Sequence, residues 1–173
     1  MAITALTGAN KISINFSASE ALDLQTARAD LNPTSGMSYS YTFGDGASQA
    51  NNLWSDQRTL SDGASEELDL NDGSLVNGIG DAISFDAIKA MYIKNHSTDA
   101  ILVVGAALTD EWTTWLGGPG DKVLVQPGGR LFVEAPDATG YALASSNAHL
   151  KLAHNGDGSL DLTYDIILIG VSS

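Results

Sequence analysis

Three histidines are the only imidazoles that this chain offers for metal binding or for general acid and base chemistry. Metal-binding histidines typically recur at short fixed spacings, such as two histidines separated by three residues. His96 instead follows an asparagine in a polar turn, His149 alternates with leucines, and His154 precedes a glycine-rich turn. We therefore predict exposed or hydrogen-bonded histidines and no metal site.

Oxygen-bearing side chains alternate along residues 155–161, as they do at the start of a calcium loop. An EF-hand loop needs glycine at its sixth position and a bidentate acid at its twelfth. Leu160 and Ile166 occupy those two positions here. The segment is therefore predicted to be a turn.

The sequence also gives little support for nucleophilic catalysis or for catalysis by a pair of carboxylic acids. The chain has no cysteine, and it lacks the Gly-x-Ser-x-Gly motif of many serine hydrolases. A glycosidase-like pair needs two acids that converge across a cleft, whereas the glutamates lie in ordinary solvent-facing contexts, namely Glu66, Glu67, Glu111 and Glu134. We predict that the chain is not an enzyme and has no catalytic, cofactor-binding or metal-ligating residue.

The elements that carry these residues are short strands with a period of two, separated by Gly, Ser, Asn and Asp. Helical periodicity is nearly absent. The pattern predicts an all-β fold, an antiparallel two-sheet β-sandwich of jelly-roll type with an extended N-terminal arm. The predicted strands cover residues 11–16, 38–43, 66–70, 87–95, 101–105, 123–126, 130–135, 141–144, 149–153 and 160–170.

Two turns and one helical turn are predicted between the strands. Residues 126–129 (Gln-Pro-Gly-Gly) are typical of a type II turn, because Pro fixes φ and Gly accepts a positive φ. Residues 154–158 are predicted to join the last two strands as a hairpin. Residues 109–118 are predicted to form one capped helical turn that ends at a glycine pair.

The tryptophans are the candidate protein-interface residues: Trp54, Trp112 and Trp115. Trp112, Trp115 and Leu116 would share one face of the helical turn. That face either plugs an open end of the sandwich or anchors a partner, since Trp is enriched among interface hot spots.

Eight apolar residues near the middle of their strands are predicted to be largely buried. They are Met91, Ile93, Leu102, Val104, Leu131, Val133, Ile167 and Ile169.

The net charge of −13 argues against nucleic acid and anionic membranes as partners, because neither is bound by scattered single cations. Nine acidic and one basic side chain fall within residues 37–86. That excess is either a solvated face or a means of steering toward a basic partner. The start of the chain has no basic n-region, so we expect no signal peptide and synthesis in the cytoplasm.

Two parts of the chain differ in apolar content. Residues 1–36 hold one good strand and few sizeable apolar groups, which predicts either an arm lying on a neighbouring subunit or a first strand followed by a long loop. Residues 37–173 carry the remaining strand patterns and are predicted to form the sandwich domain.

From Tyr41 onward the chain resembles the jelly-roll capsid decoration, or head cement, proteins of tailed bacteriophages. The strongest stretch is residues 125–142, which begins Val-Gln-Pro-Gly-Gly-Arg-Leu-Phe-Val-Glu. The Trp112 and Trp115 pair also matches. Further matching stretches are residues 50–60, 67–70, 88–95, 104–107, 120–123 and 162–170.

The resemblance implies a non-enzymatic structural protein that binds the outside of a phage head as a homotrimer and stabilises it. Its implied partners are the major capsid protein and its own copies, and its implied location is the outer capsid surface of the virion, after synthesis in the host cytoplasm. The alternative is a tail- or fibre-associated β-sandwich module that binds a receptor or a carbohydrate through exposed aromatic rings. Residues 1–36 match nothing in the family, so their role is open.

Overall fold

The protein is described by a computed structural model that covers residues 8–11, 16–21, 26–31, 38–77, 80–157 and 160–172. Within these ranges the chain consists of strands and connecting turns with no helix, which confirms the all-β prediction. The strands in chain order are β1 (Gly8–Lys11), β2 (Phe16–Ala21), β3 (Thr26–Leu31), β4 (Ser38–Phe43), β5 (Gln49–Ala50), β6 (Asn52–Leu60), β7 (Ser65–Asp69), β8 (Leu75–Val76), β9 (Ala82–Ile83), β10 (Ala87–Asn95), β11 (Leu102–Gly105), β12 (Lys122–Val125), β13 (Arg130–Glu134), β14 (Tyr141–Ala142), β15 (His149–His154) and β16 (Leu162–Val171).

Two sheets form the body of the molecule. A five-stranded sheet has the order β13-β10-β16-β6, with β14 paired to β10, and a four-stranded sheet has the order β12-β11-β15-β7. Smaller sheets are β1-β4-β5, β2-β3 and β8-β9. The described pairs are antiparallel except for β4 with β5, consistent with the predicted β-sandwich.

One apolar core joins the two large sheets. It receives Met91 and Ile93 from the five-stranded sheet and Leu102 and Val104 from the four-stranded sheet, all fully buried as predicted. Leu131 and Val133 are half-buried and pack against the same core. We call the side of each sheet that meets this core its inner face and the opposite side its outer face.

The predicted burial of Ile167 and Ile169 in β16 is wrong. Ile167 is 37% exposed and Ile169 is half-buried, whereas Ile166 and Leu168 are fully buried. Side chains alternate along a strand, so the inner face of β16 takes the even-numbered residues. Residues 166–169 are all apolar, so this segment alone does not show which residues face inward. The alternation that precedes it, from Leu162 through Tyr164, does show this.

Two predicted connections are also wrong. Residues 109–118 contain turns instead of a helical turn, such as the one in which the Leu116 N–H donates to the Thr113 carbonyl at 2.9 Å. Residues 154–158 do not close a hairpin, because β15 and β16 lie in different sheets. The turn at residues 126–129 is confirmed, with a hydrogen bond of 2.8 Å from the Gly129 N–H to the Gln126 carbonyl and a φ of +70° at Gly128.

Strand β6, which forms one edge of the five-stranded sheet, was not predicted from the sequence. Its residues are mostly polar, and only Trp54 and Leu60 are buried. An edge strand with one solvated face carries few apolar positions, so its alternation was not recognised.

The predicted strand at residues 11–16 lies mostly outside the described residues. β1 and β4 are paired from Gly8 opposite Tyr41 to Lys11 opposite Ser38. This pairing crosses the predicted boundary between residues 36 and 37, and that division stays a prediction.

Candidate protein interface

The outer face of the five-stranded sheet carries a group of apolar side chains, which we call the outer patch. Strand register places Tyr92 opposite both Phe132 and Ile167. Ile169 lies two residues from Ile167 on the same face of β16 and opposite Leu53 in β6. The outer patch therefore consists of Leu53, Tyr92, Phe132, Ile167 and Ile169.

The outer patch is open to solvent in the single chain. Leu53 and Ile167 are each 37% exposed, and the other three side chains are half-buried. The chain has a net charge of −13, so a cluster of this composition contrasts with its charged surroundings. Contiguous exposed apolar groups with a polar border are typical of protein interaction sites.

A polar row borders the outer patch on one side. It runs across the sheet through Arg130, Lys94, Asp165 and Gln57. The Gln57 Nε2 donates to one oxygen of Asp165 at 2.8 Å, and His96 Nε2 lies 2.6 Å from the other. These two hydrogen bonds lower the pKa of Asp165 from its ordinary value.

The opposite border is formed where β4 meets the five-stranded sheet. The buried Tyr41 hydroxyl donates to Glu134 Oε1 at 3.0 Å and lies 3.3 Å from the Lys89 carbonyl. Burial and the Glu134 carboxylate raise the pKa of Tyr41. Register puts Glu134 opposite Ala90 in the outer face, so β4 lies beside the outer patch.

The buried side chain of Lys89 also stabilises this border. Lys89 is fully buried, and its Nζ donates to the carbonyls of Asp137 and Ala138. Burial lowers the pKa of Lys89. Its two carbonyl partners fix the loop after β13.

The predicted interface tryptophans lie elsewhere. Trp54 and Trp112 are 3% and 1% exposed and belong to the core of the chain itself. The Trp54 indole N–H donates to the Val76 carbonyl at 3.1 Å. Trp112 packs against Trp115 with ring centroids 5.7 Å apart and against Tyr141 at 6.4 Å. This packing favours the plug over the partner anchor, since a docking partner would not reach these two rings.

Trp115 is the partly exposed member of the three. It is half-buried and packs against the core. Its Nε1 is buried and has no hydrogen-bond partner among the described residues.

A rigid loop at residues 106–111 presents a second exposed apolar group. Leu108 is 84% exposed. Glu111 accepts hydrogen bonds from the Ala106 and Gly120 N–H groups, both at 2.7 Å, and Glu67 accepts one from the Leu108 N–H at 3.0 Å. The loop lines a shallow groove of about 630 Å³. These two carboxylates therefore stabilise the conformation of the loop.

The histidines have structural partners. His154 is buried, its Nδ1 accepts from the Gly156 N–H at 2.9 Å, and its Nε2 consequently donates to the Leu160 carbonyl at 3.0 Å. His149 Nε2 lies 3.3 Å from Asp69. Among the residues that the structure describes, no group of three or more His, Asp or Glu side chains is arranged to hold a metal ion.

Glu66, predicted to face solvent, and Asn155, at the start of the segment that resembles a calcium loop, hold strands and turns together. Glu66 accepts from Tyr164 at 2.8 Å and from Arg58 at 2.6 Å. Asn155 accepts from the Ile101 N–H at 3.0 Å and donates to Asp157 at 2.6 Å. Within the described ranges there is also no helix of the length and hydropathy that a membrane span needs.

Three comparisons with known proteins were made: with family models, with curated proteins and with solved structures. No family model matches this chain, and no curated protein matches it. Among solved structures it is similar to the solution NMR structure of a de novo designed double-stranded β-helix, at 13% sequence identity over 66% of this chain and 96% of that chain, with a TM-score of 0.34. A likeness of that size supports no conclusion about function.

Proposed function

We propose that this chain is a non-enzymatic virion structural protein, a decoration or cement protein that binds the outer surface of a tailed-phage head as a homotrimer and stabilises it. The observation that carries the proposal is the outer patch, an open apolar surface on a rigid sheet in a strongly acidic chain. Such a surface suits protein assembly, because apolar burial supplies attraction and the polar border excludes wrong partners.

The strand order supports a jelly-roll topology, which the proposal includes. Eight strands of the two large sheets pair as one long hairpin folded on itself: β6 with β16, β7 with β15, β10 with β13 and β11 with β12. In a jelly roll the first strand pairs with the last, the second with the second-last, and so on toward the middle of the chain. Jelly rolls host many functions, so this support concerns the scaffold alone.

The resemblance to phage head cement proteins supplies the partner and the place. The proposed partners are the major capsid protein and two further copies of this chain, the proposed site is the outer capsid surface, and synthesis takes place in the host cytoplasm. Residues 1–36 serve as an arm in this proposal. The acidic excess of residues 37–86 would steer the trimer toward basic capsid surface.

The alternative, a tail or fibre module for a receptor or a carbohydrate, draws less support from the site. It relied on exposed aromatic rings that stack on sugars. The rings of Trp54 and Trp112 are buried, and those of Trp115, Tyr92 and Phe132 are half-buried. We therefore retain the assembly function as the conclusion.

The direct test mixes the purified protein with undecorated heads built from the major capsid protein encoded beside its gene. We expect co-sedimentation with the heads at a stoichiometry of three-fold sites, a trimer in mass photometry, and a higher temperature of thermal rupture. A protein that stays monomeric, leaves the heads bare and does not shift their rupture would overturn the proposal. Specific binding on a glycan array would instead favour the receptor module.

A further inference from the structure

The loop at residues 106–111 holds two residues in an unfavourable backbone conformation. Ala106 and Asp110 have φ values of +58° and +47°, in the left-handed region that residues with a Cβ rarely adopt. Aspartate tolerates this region better than alanine does, because its short polar side chain can hydrogen-bond locally. Such conformations persist only where surrounding contacts impose them, and they are common in segments that hold a ligand. The loop is therefore a candidate binding element.

Backbone contacts with the body of the molecule impose this conformation. The Asp110 carbonyl accepts hydrogen bonds from the N–H groups of Ala148 and His149, at 2.7 and 2.8 Å. Ala148 is fully buried, so these bonds attach the end of the loop to the core. The carboxylates of Glu67 and Glu111 fix its middle and its start. The loop thus has its shape before any partner binds, and little conformational entropy remains to be lost on binding.

Leu108 lies in the middle of this preformed loop. It is 84% exposed, which makes it the most exposed large apolar side chain among the described residues. A single exposed leucine is ordinary on a protein surface. Here the backbone on both sides is fixed, so Leu108 stays in water until a second molecule covers it. An apolar group presented in this way is suited to act as an interface anchor.

A groove of about 630 Å³ lies beside Leu108, and we call it the loop groove. It is lined by residues 107–111, 119–120 and 146–147 and by Thr113. Its volume lies within the range of about 300–1,000 Å³ that is typical of binding sites for small ligands. Among the described residues that line it, Asp110 and Glu111 carry a charge, and both are acidic.

The Asp110 carboxylate is available to a ligand. Both oxygens of Glu111 accept backbone N–H groups, at 2.7 Å each. The exposed Asp110 carboxylate, in contrast, accepts no hydrogen bond from the residues that the structure describes. An open carboxylate next to an exposed leucine fits a ligand that carries a basic group beside an apolar one, because charge and apolar contact are then both complementary.

The charge of the chain disfavours a second copy as the occupant of the loop groove. The chain has a net charge of −13, so a second copy would bring excess negative charge to an acidic groove. Like charges across an interface oppose binding, whereas a basic partner surface is attracted. The occupant is therefore expected to be a different protein with a basic surface.

We propose that the loop groove binds a segment of another protein, with an apolar side chain packed on Leu108 and a Lys or Arg side chain paired with Asp110. The inference deepens the proposed function and rests on it for the identity of that protein, the major capsid protein. It assigns a contact with the head that is separate from the outer patch.

Head binding by full-length variants tests this contact. Leu108→Ser removes the apolar group, and its melting temperature should equal that of the parent because the side chain is exposed. We expect it to bind undecorated heads at least about tenfold more weakly. Leu124→Ser is the control, since Leu124 is 52% exposed on the outer face of the four-stranded sheet. Leu124→Ser should bind as the parent does, and parent-like binding by Leu108→Ser would contradict the proposal.

Asp110→Asn tests the charge alone. Asparagine also tolerates the left-handed region, so the loop should keep its conformation. We expect weaker binding to heads at low salt and a smaller dependence of binding on salt concentration, because one attractive charge is lost. A salt dependence equal to that of the parent would contradict the pairing of Asp110 with a basic side chain.

Photo-crosslinking locates the partner segment. The chain has no cysteine, so Thr109→Cys carries a single benzophenone label at an exposed position of the loop groove. On heads, illumination should join it to the major capsid protein within a few residues of a Lys or Arg. Ser61→Cys is the matched control, in an exposed turn at the opposite end of the four-stranded sheet. Equal yields from both labels would overturn the proposal.

A titration without heads separates this inference from the proposed function. The isotopically labelled full-length protein is titrated with a peptide of alternating Leu and Lys, and separately with a peptide of alternating Leu and Glu. We expect saturable shifts of the amide signals of residues 107–111 and 146–147 with the Lys peptide alone, and their loss in Asp110→Asn. Equal shifts with both peptides, or shifts scattered over the surface, would show that the groove is not a basic-segment site.

The two proposals can fail independently. If the Lys peptide binds in the loop groove while the protein leaves heads bare, the proposed function is wrong and the groove remains a site for a basic segment. If the protein decorates heads, Leu108→Ser decorates them equally and the Lys peptide leaves the groove signals unshifted, this inference is wrong and the proposed function stands.

Discussion

The outer faces of the two large sheets differ in which side chains lie opposite each other on neighbouring strands. On the four-stranded sheet, Lys151 lies opposite Glu67 and His149 lies opposite Asp69, so polar side chains face one another across neighbouring strands. The corresponding surface of the five-stranded sheet has Tyr92 opposite Ile167 and lacks such polar pairs at its centre. A face that supplies its own partners is suited to water, whereas a face of surplus apolar groups is suited to another protein surface.

The largest expected effect is a difference in stability between truncations on the inner and on the outer face of β16. Ile166→Ala should destabilise the chain by about 2–5 kcal/mol, because Ile166 is fully buried and its truncation leaves a cavity. Ile167→Ala should destabilise it by less than about 1 kcal/mol, because Ile167 is already partly in water. Urea unfolding of both variants under conditions that keep the chain monomeric measures the difference. Equal losses would mean that the outer patch belongs to the core.

The next effect concerns the link between the two sheets. Tyr164→Phe removes the hydroxyl that donates to Glu66, a residue of the four-stranded sheet, at 2.8 Å. We expect a loss of about 1–2 kcal/mol, because a partly buried carboxylate loses one of its hydrogen bonds. The matched control is Tyr92→Phe on the outer face, whose exposed hydroxyl accepts from Arg130 Nε at 3.2 Å. A control as costly as Tyr164→Phe would contradict this assignment of roles.

The polar border of the outer patch should contribute to acid sensitivity. Hydrogen bonds from Gln57 and His96 lower the folded-state pKa of Asp165 below its unfolded value. Such a group adds stability above the unfolded pKa of about 4 and loses it as the pH falls through the lowered folded pKa.

Asp165→Asn should therefore flatten the decline in stability below about pH 4 relative to the parent chain. Thermal melts between pH 6 and the acid limit measure the slope. Asp161→Asn, which removes one charge at an exposed position outside the border, is the control. Identical acid slopes for parent, variant and control would show that the border does not contribute.

The smallest effect is expected on the four-stranded sheet. Lys151→Ala removes one member of the exposed cross-strand pair with Glu67, and such pairs contribute about 0–1 kcal/mol. We expect a change below about 0.5 kcal/mol and no change in self-association. A change in oligomeric state would show that this face is also an assembly surface, which would weaken the comparison.

Sequence patterns located strands well where alternation and burial agree. β10 was predicted with the bounds that the structure has, residues 87–95, because polar turns flank a continuous apolar-rich segment. β6 was missed because its outer face is solvated and its inner face has only two large apolar groups, Trp54 and Leu60.

Connections and interface residues were harder to predict, for a physical reason. Pairing between sheets depends on partners far apart in sequence, so the turn at residues 154–158 looked local although it passes between sheets. Residue type alone pointed to the tryptophans as interface residues, which stays a prediction. Trp54 and Trp112 lie in the core, and a large ring can fill a core as well as anchor a partner. The better signal for the outer patch was present in β16, where both alternating faces are apolar.

The position of β16 has a consequence for the order of folding. This strand, Leu162–Val171, lies between β10 and β6, and it pairs with β6 from Leu60 to Asn52. The pairing of β16 with the edge strand β6 thus joins residues about a hundred positions apart, and contacts of that range slow folding because the intervening loop must close first. A ribosome that has passed β6 still holds a chain whose five-stranded sheet is incomplete, and that sheet can close only after β16, up to Val171, has emerged.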